Sequence, residues 1–340
     1  MYKQFIRPFL FSFKPETAHK LYLSLVRFSG LFPGRYIVRL LHSFSDPSLK
    51  RSLFGLGFPN PVGLAGGFDH NGDCFNELSN FGFGFLEIGS LSSDPQDGGQ
   101  RPRIQRFKKE KALVNRVEAR NKGVNYAIDH IQAGRPDAIL CASITYNSAS
   151  RKDEEITDDY QKAFSLLYDF VDMLTINVAR PNSDGLLEVQ DRNSLADIMD
   201  PILELRLCYD RYKPVLLKIS PDTPLEQLDE MIDYCMLSGV DGVIAGDTTR
   251  HVELLNNPSV KPGYLSGAPL YEKSIAVVRH IHEHTKGRFP IIGCGGIMTP
   301  EQAAEMLAAG ASLIQLHTGL VYEGPKLVKR ILKYLVNNQL

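Results

Sequence analysis

The stretch PIIGCGG, residues 290–296, places a short apolar run directly before two glycines, and a helical pattern follows from Pro300. The same arrangement, an apolar run that ends in small or polar residues and precedes a helical stretch, occurs eight times from Phe58 onward. The eight runs are PVGLAGG at 61, FLEIGS at 85, AILCASI at 138, MLTINV at 173, VLLKIS at 215, GVIAGDT at 242, PIIGCGG at 290 and SLIQLHTG at 312. Because buried parallel strands have continuous apolar sequences, this pattern predicts a closed (β/α)8 TIM barrel of the α/β class, with an open sheet as the alternative.

The bulk composition excludes several classes of protein. The chain has 340 residues, of which 43% are hydrophobic, and its formal net charge is −1. A balanced charge gives no reason to expect nucleic acid as a partner. The five cysteines are widely spaced and form no CxxC pair, which argues against a disulfide framework and against a zinc site. No apolar run approaches the roughly 18 residues of a membrane-spanning helix.

Residues 1–45, called the N-terminal segment here, differ from the rest in charge. Up to residue 42 they contain one acid, Glu16, and seven basic residues: Lys3, Arg7, Lys14, Lys20, Arg27, Arg35 and Arg39. Pro15 and Glu16 predict a helix start and Gly30 its end. Apolar residues at spacings of three and four form one stripe, made of Ala18, Leu21, Leu25 and Phe28. This pattern fits either an amphipathic segment on an anionic membrane or a helical cap packed on the barrel.

In a (β/α)8 barrel the active site lies at the carboxyl ends of the strands. The last two strand ends, Gly295-Gly296 and His317-Thr318, supply backbone N–H groups and a hydroxyl, which is typical of a phosphate site. A tight turn that needs glycine explains the glycine pair equally well.

The middle strand ends supply polar side chains. Lys218 lies inside an apolar run, so its ammonium needs an anionic or carbonyl partner at the barrel mouth, and a structural ion pair with an acid such as Asp247 is the alternative. Asn115, Asn177 and Asn182 lie near strand ends, where each amide could simply stabilise a turn. Three amides together with a lysine and a phosphate site indicate a phosphorylated planar cofactor beside a small polar substrate.

These signatures resemble the dihydroorotate dehydrogenase family, specifically its quinone-reducing, membrane-associated class. The similar stretches, in chain order, are PETAH, NPVGLAGGFDHNGD, FGFGFLEIGS, VNR, INVARPNSDG, KISPD, LSGAPL, PIIGCGGI and GASLIQLHTG. The resemblance implies an FMN-bearing barrel over residues 46–340 that oxidises dihydroorotate to orotate in pyrimidine biosynthesis. It also implies that electrons leave to a quinone that enters through the N-terminal segment, with His19 and Arg35 lining its path.

The resemblance assigns ligand contacts to matching positions. The implied FMN-binding residues are Gly66, Gly67, His70, Ser90, Ser143, Asn177, Lys218, Gly246, Gly267, Gly295, Gly296, His317 and Thr318. The implied substrate-binding residues are Asn115, Asn177, Asn182, Asp247 and Thr248. The implied partners are a small-molecule substrate, a quinone and a membrane surface, and the expected location is peripheral, on the cytoplasmic face of the cell membrane.

Several positions depart from the family pattern, mostly on the substrate side. Arg180 occupies the position of the serine that acts as the catalytic base, and a guanidinium cannot be a general base because it stays protonated. His70 replaces a lysine, and His317 a tyrosine. Further substitutions are Ser143 and Asp247 for asparagines, Glu118 and Ala119 for Gly-Phe, and Ala268 for an arginine.

Three hypotheses about function follow. The chain oxidises dihydroorotate, with another group such as His70 in the role of the base. Alternatively, it is a divergent FMN oxidoreductase whose Arg180 pairs with a different anionic substrate, or it is a flavin-binding paralogue without catalysis. The first of these hypotheses accounts for similarity along nearly the whole chain.

Overall fold

A computed structural model describes residues 2–116, 120–147, 153–179 and 192–340, without the side chains of residues 153 and 192. Its thirteen strands are β1 Arg51–Leu53, β2 Leu56–Phe58, β3 Val62–Asp69, β4 Phe85–Leu91, β5 Ile104–Phe107, β6 Ala112–Asn115, β7 Ile139–Ile144, β8 Met173–Asn177, β9 Val215–Ile219, β10 Gly242–Ala245, β11 Tyr264–Gly267, β12 Ile291–Cys294 and β13 Leu313–Leu316. Its α-helices are α1 Arg7–Phe11, α2 Pro15–Ser29, α3 Gly34–His42, α4 Phe75–Ser79, α5 Val124–Ala133, α6 Asp153–Leu167, α7 Arg192–Arg206, α8 Leu225–Ser238, α9 Tyr271–His284, α10 Pro300–Ala308, α11 Thr318–Glu323 and α12 Lys326–Asn337.

Eight parallel strands close into a barrel in the order β10-β12-β13-β3-β4-β7-β8-β9. These are the eight apolar runs of the sequence, so the barrel prediction is confirmed and the open-sheet alternative is wrong. The register aligns Asn177 of β8 with Lys218 of β9, and Lys218 with Ile244 of β10. The carboxyl ends of the strands therefore lie together at one mouth of the barrel, as the location of the active site requires.

The barrel interior is apolar below this mouth. An interior cluster, which includes Phe58, Phe85 and Ile292, fills the amino-terminal half, and the β1–β2 hairpin packs against it through Leu53 and Leu56. A larger core lies between the strands and the surrounding helices. With the lower end closed by side chains, space for a ligand remains at the mouth.

The N-terminal segment lies against the barrel through α2 and the antiparallel sheet β5-β6-β11. Helix α2 begins at Pro15 and ends before Gly30, as predicted. The residues that face the barrel are Ala18, Tyr22 and Val26, whereas Leu25 and Phe28 of the predicted stripe are 47% and 74% exposed. The helix thus has two apolar faces, of which the described residues cover only one. Within the described ranges, no helix has the length and apolarity to cross a bilayer.

Candidate active site

A polar cavity, called the cofactor cavity here, opens at the carboxyl ends of the late strands. Ten of the residues predicted to bind cofactor or substrate line it: Gly66, Asn115, Lys218, Asp247, Thr248, Gly267, Gly295, Gly296, His317 and Thr318. They come from strands or loops far apart in sequence. The fold therefore brings most of the predicted site into one place.

Lys218 lies at the base of this cavity with 3% of its side chain exposed. Its Nζ atom lies 3.6 Å from Oε1 of Glu87, a fully buried acid on β4, and the other Glu87 oxygen accepts a 2.6 Å hydrogen bond from Gln315 Nε2. This contact is a structural ion pair, which the sequence left as the alternative, with Glu87 as the acid. Burial, and then the charge of Glu87, raise the pKa of the nearby Cys141 thiol well above its ordinary value, while Lys218 opposes this effect.

Ser90, Ser143 and Asn177 meet at the ends of β4, β7 and β8. The Asn177 amide donates to Ser90 Oγ at 2.9 Å, and the two serine hydroxyls lie 2.7 Å apart. Asn177 is held from behind, because its side-chain oxygen accepts from the Ala179 N–H and its carbonyl accepts from Tyr160. These three predicted cofactor residues thus form one hydrogen-bonded group.

At the barrel mouth, the backbone of the glycines lies so close to neighbouring groups that a side chain would not fit. A Cβ atom on Gly296, which has φ +72°, would lie 2.5 Å from the Tyr271 backbone nitrogen. Buried polar atoms face this region without a hydrogen-bond partner among the described residues: Asn115 Oδ1, Ser274 Oγ and Gln315 Oε1. Because buried polar atoms are normally paired, they indicate a polar ligand at the mouth.

A second cavity, called the tunnel cavity here, lies between α2 and the barrel. Its walls are mainly apolar side chains such as Leu10, Phe11 and Ala18, and its polar groups include His19, His70 and Arg106. It shares Asn115, Ser266 and His317 with the cofactor cavity. An apolar space and a polar space therefore have one wall in common.

Burial favours the neutral form of two histidines of this region, His19 and His317. Burial, and then the nearby His19, lower the pKa of His317 to about 4. Burial also lowers the pKa of His19, whose Nε2 has no hydrogen-bond partner among the described residues. The His19 ring lies 5.4 Å from the Phe68 ring and 6.2 Å from the His70 ring, measured between centroids. A neutral imidazole can offer a hydrogen bond inside an apolar cavity without placing a charge there.

The remaining predicted residues lie elsewhere. Gly67 and His70 line the tunnel cavity rather than the cofactor cavity, and Gly246 follows β10. Arg35 is exposed on α3 and donates to the Tyr36 hydroxyl at 2.8 Å, so it is not part of the tunnel wall. Four positions discussed from the sequence lie outside the described residues: Glu118, Ala119, Arg180 and Asn182.

Sequence reasoning missed several residues of the site, which are Ser266 of the shared wall, Glu87, Gln315 and Arg106. Glu87 is a lone acid inside the apolar run FLEIGS, which is the same signal that singled out Lys218. Gln315 gave a weaker version of this signal in SLIQLHTG. Arg106 gave no such signal in the sequence, because its place in the tunnel wall depends on β5 lying beside the N-terminal segment. There, Arg106 donates 2.9 Å hydrogen bonds to the carbonyls of Phe11 and Phe13.

Comparison with known proteins gives consistent matches. The family model described as dihydroorotate dehydrogenase matches residues 48–338. A dihydroorotate dehydrogenase (quinone) of Christiangramia forsetii is 40% identical over 333 residues, which cover 97% of each chain. The protein of the same description from Coxiella burnetii is 37% identical over 342 residues, covering 98% of this chain and 97% of the relative.

Solved structures also match. The crystal structure of a DHODH from Eimeria tenella in complex with ferulenol superposes with a TM-score of 0.86 at 28% identity, covering 96% of this chain and 92% of the other. Its ligand-free form gives a TM-score of 0.85. Since sequence and structure agree over nearly the whole length, this chain belongs to the dihydroorotate dehydrogenase family.

Proposed function

We propose that this chain oxidises dihydroorotate to orotate and passes the electrons through bound FMN to a quinone, as a step of pyrimidine biosynthesis. The observation that carries this proposal is the wall shared by the two cavities, formed by Asn115, Ser266 and His317. A planar group at this wall borders a polar space on one side and an apolar space on the other. That arrangement suits one polar and one apolar reaction partner.

The residues present fit a flavin. The group Ser90–Ser143–Asn177, the ammonium of Lys218 and the unpaired buried oxygens offer hydrogen-bond donors and acceptors to a polar ring and its hydroxylated chain. Gly295 and Gly296 leave space for a phosphate near the ends of β12 and β13. When bound, the flavin supplies the chemistry that accepts hydride from the substrate and releases electrons to the quinone.

The protein's own side chains bind and orient the reactants. Asn115 and Thr248 are suited to hold the polar ring of dihydroorotate, and Lys218 to hold the flavin above the barrel floor. Arg180 cannot take a proton, so another group must remove it. The half-buried imidazole of His70 has suitable chemistry and is our candidate, although it lines the tunnel cavity and not the cofactor cavity. Asn182 and Asp247 complete the proposed substrate contacts.

We further propose that residues 1–45 bind a membrane surface and admit the quinone, while residues 46–340 form the FMN-binding barrel. The tunnel cavity ends against α2. His19 Nε2 has no hydrogen-bond partner among the described residues, and the ring already bonds to the Phe68 backbone, so a neutral imidazole here can accept a hydrogen bond from a hydroxyl of the reduced quinone. Exposed apolar side chains on α2 and α3, among basic residues, suit an anionic bilayer, which fits a peripheral location on the cytoplasmic face of the membrane.

An anaerobic titration tests the activity. Dihydroorotate should bleach the oxidised-flavin absorbance of the purified chain, and a water-soluble quinone should restore it. In Asn115→Ala the bleaching should be slower by about 10- to 100-fold, because a lost hydrogen bond to a buried polar group costs about 1–3 kcal/mol. Asn257→Ala, in an exposed loop, is the matched control and should behave like the unchanged protein. A flavin that binds but stays oxidised would contradict the proposed activity.

A further inference from the structure

The polar side chains inside the apolar barrel include Glu87, Lys218 and Gln315, with 0%, 3% and 1% exposure. Two strands separate β4, which carries Glu87, from β9, which carries Lys218, so this ion pair spans the barrel rather than joining neighbours. Phe85, two residues before Glu87 on the same face of β4, belongs to the apolar interior cluster. A buried charge in such a place is costly unless another group compensates it.

The Glu87 carboxylate makes a hydrogen bond through one oxygen and an ion pair through the other. Gln315 holds Oε2, and Oε1 faces the Lys218 ammonium with no hydrogen-bond partner among the described residues. A Cβ atom at position 66 would lie 2.5 Å from Oε1. Gly66 itself lines the cofactor cavity, so the negative charge lies directly behind a bare stretch of the cavity wall.

We propose that Glu87 is a positioning residue that lowers the redox potential of the flavin by holding Lys218 and offsetting part of its charge. This inference rests on the proposed function, since it needs a flavin in the cofactor cavity. Reduction makes a flavin more electron-rich, so an uncompensated ammonium at the cavity base would stabilise the reduced form. A carboxylate 3.6 Å behind that ammonium weakens its field where the local dielectric is low. Reduced flavin then gives up its electrons more readily.

The variant Glu87→Gln tests this inference, because it keeps an oxygen for Gln315 and nearly the same volume but removes the charge. The flavin midpoint potential is measured by slow enzymatic reduction beside a reference dye, without dihydroorotate. We expect a positive shift equivalent to about a tenfold gain in the stability of reduced over oxidised flavin, or about 30 mV for a two-electron couple. Thr175→Val, which removes a fully buried hydroxyl on β8 but no charge and lines neither cavity, is the control and should shift the potential much less.

A double-variant cycle separates electrostatics from packing. In a Lys218→Met background, Glu87→Gln should no longer shift the potential, because the charge that it offsets is absent. An equal shift in both backgrounds, or no shift in Glu87→Gln with flavin bound, would overturn the inference. If Glu87→Gln does not fold, Glu87→Asp keeps the charge at a greater distance and should give a smaller positive shift, and no shift would again overturn it.

The two proposals fail differently. A chain that binds flavin but is not reduced by dihydroorotate refutes the proposed function, while the potentials still decide the role of Glu87. A chain that binds no flavin refutes both.

Discussion

The barrel and the N-terminal segment use similar apolar residues in opposite ways. Strands β8, β9 and β10 have no exposed residue along their length. By contrast, 11 of the 17 large apolar side chains that are exposed among the described residues lie between Phe5 and Leu41. The barrel strands are buried within the fold, whereas the N-terminal segment has an apolar surface that no other described residue covers.

This difference implies that apolar residues of the barrel determine folding stability, whereas those of the N-terminal segment determine binding to a partner surface. Burying a large apolar side chain is worth roughly 1.5–3 kcal/mol, wherever the water is removed. The barrel gains this energy when it folds, and the N-terminal segment can gain it only against something else. Substitutions in the two regions should therefore change different measurements.

The largest effect should come from Phe85→Ala inside the barrel. Phe85 is 0% exposed, and removal of a buried phenyl ring costs about 3–5 kcal/mol of unfolding free energy. Phe32→Ala is the matched variant in the N-terminal segment, and because Phe32 is 80% exposed it should change stability by about 0.5 kcal/mol or less. Equilibrium urea unfolding compares the two. Similar losses in both would show that the segment's surface is already buried in the free protein.

Membrane binding should respond in the reverse order. Phe32→Ser should weaken partition onto anionic phospholipid vesicles by about tenfold or more, because the ring would lose a transfer energy of about 1.5–3 kcal/mol. Leu237→Ser, on the barrel helix α8, is the control, since Leu237 is 76% exposed but lies outside the segment. Co-sedimentation with vesicles measures both. Equal weakening by the control would remove the distinction between the two surfaces.

A smaller effect is expected from charge. Arg35→Gln should lower affinity for anionic vesicles by about fivefold, because a basic residue near such a surface contributes about 1 kcal/mol. High salt should abolish the difference. Arg288→Gln, in the loop before β12, should have no effect. If Arg35→Gln also binds neutral vesicles less well, Arg35 does not act through its charge.

The smallest effect concerns the contact between the two regions. Burial alone would raise the pKa of Glu323, but Lys111 and Lys3 outweigh it and lower the pKa to about 2. The stabilising contribution is therefore present above about pH 4.5 and is lost as the pH falls toward 2. Because its basic partners are half-exposed, we expect about 1 kcal/mol or less.

Hydrogen exchange of residues 2–11 measures this contact. Protection in the unchanged protein should fall between pH 4.5 and 2 relative to Glu323→Gln, which lacks the titrating group. Protection with the same pH profile in both proteins would mean that other contacts, such as the hydrogen bond from Arg7 to the Tyr322 carbonyl, hold the segment.

The barrel could be predicted because each buried parallel strand has a continuous apolar sequence, which is a local pattern. All eight of these runs are strands of the barrel. The glycines and Lys218 were predictable for a related reason, since position at a strand end decides the site. The partner Glu87 could not be identified, because two strands separate β4 from β9 and no local pattern records which side chains meet across a barrel. The sequence also could not show which face of α2 packs on the barrel. Val26 and Phe28 are both apolar, and only the shape of the barrel surface determines that Val26 is buried and Phe28 exposed.

The hydrogen bond between Tyr2 and the Val321 carbonyl joins groups 319 residues apart in sequence. On a ribosome that adds about 5–20 residues per second, the barrel surface that receives Tyr2 appears roughly 15–60 seconds after Tyr2 itself. During that interval the exposed phenylalanines and leucines of α1 to α3 are already synthesised but have no barrel beside them. The segment is therefore synthesised well before the surface that holds its first residues, and until then its apolar side chains have only the unfinished chain to contact.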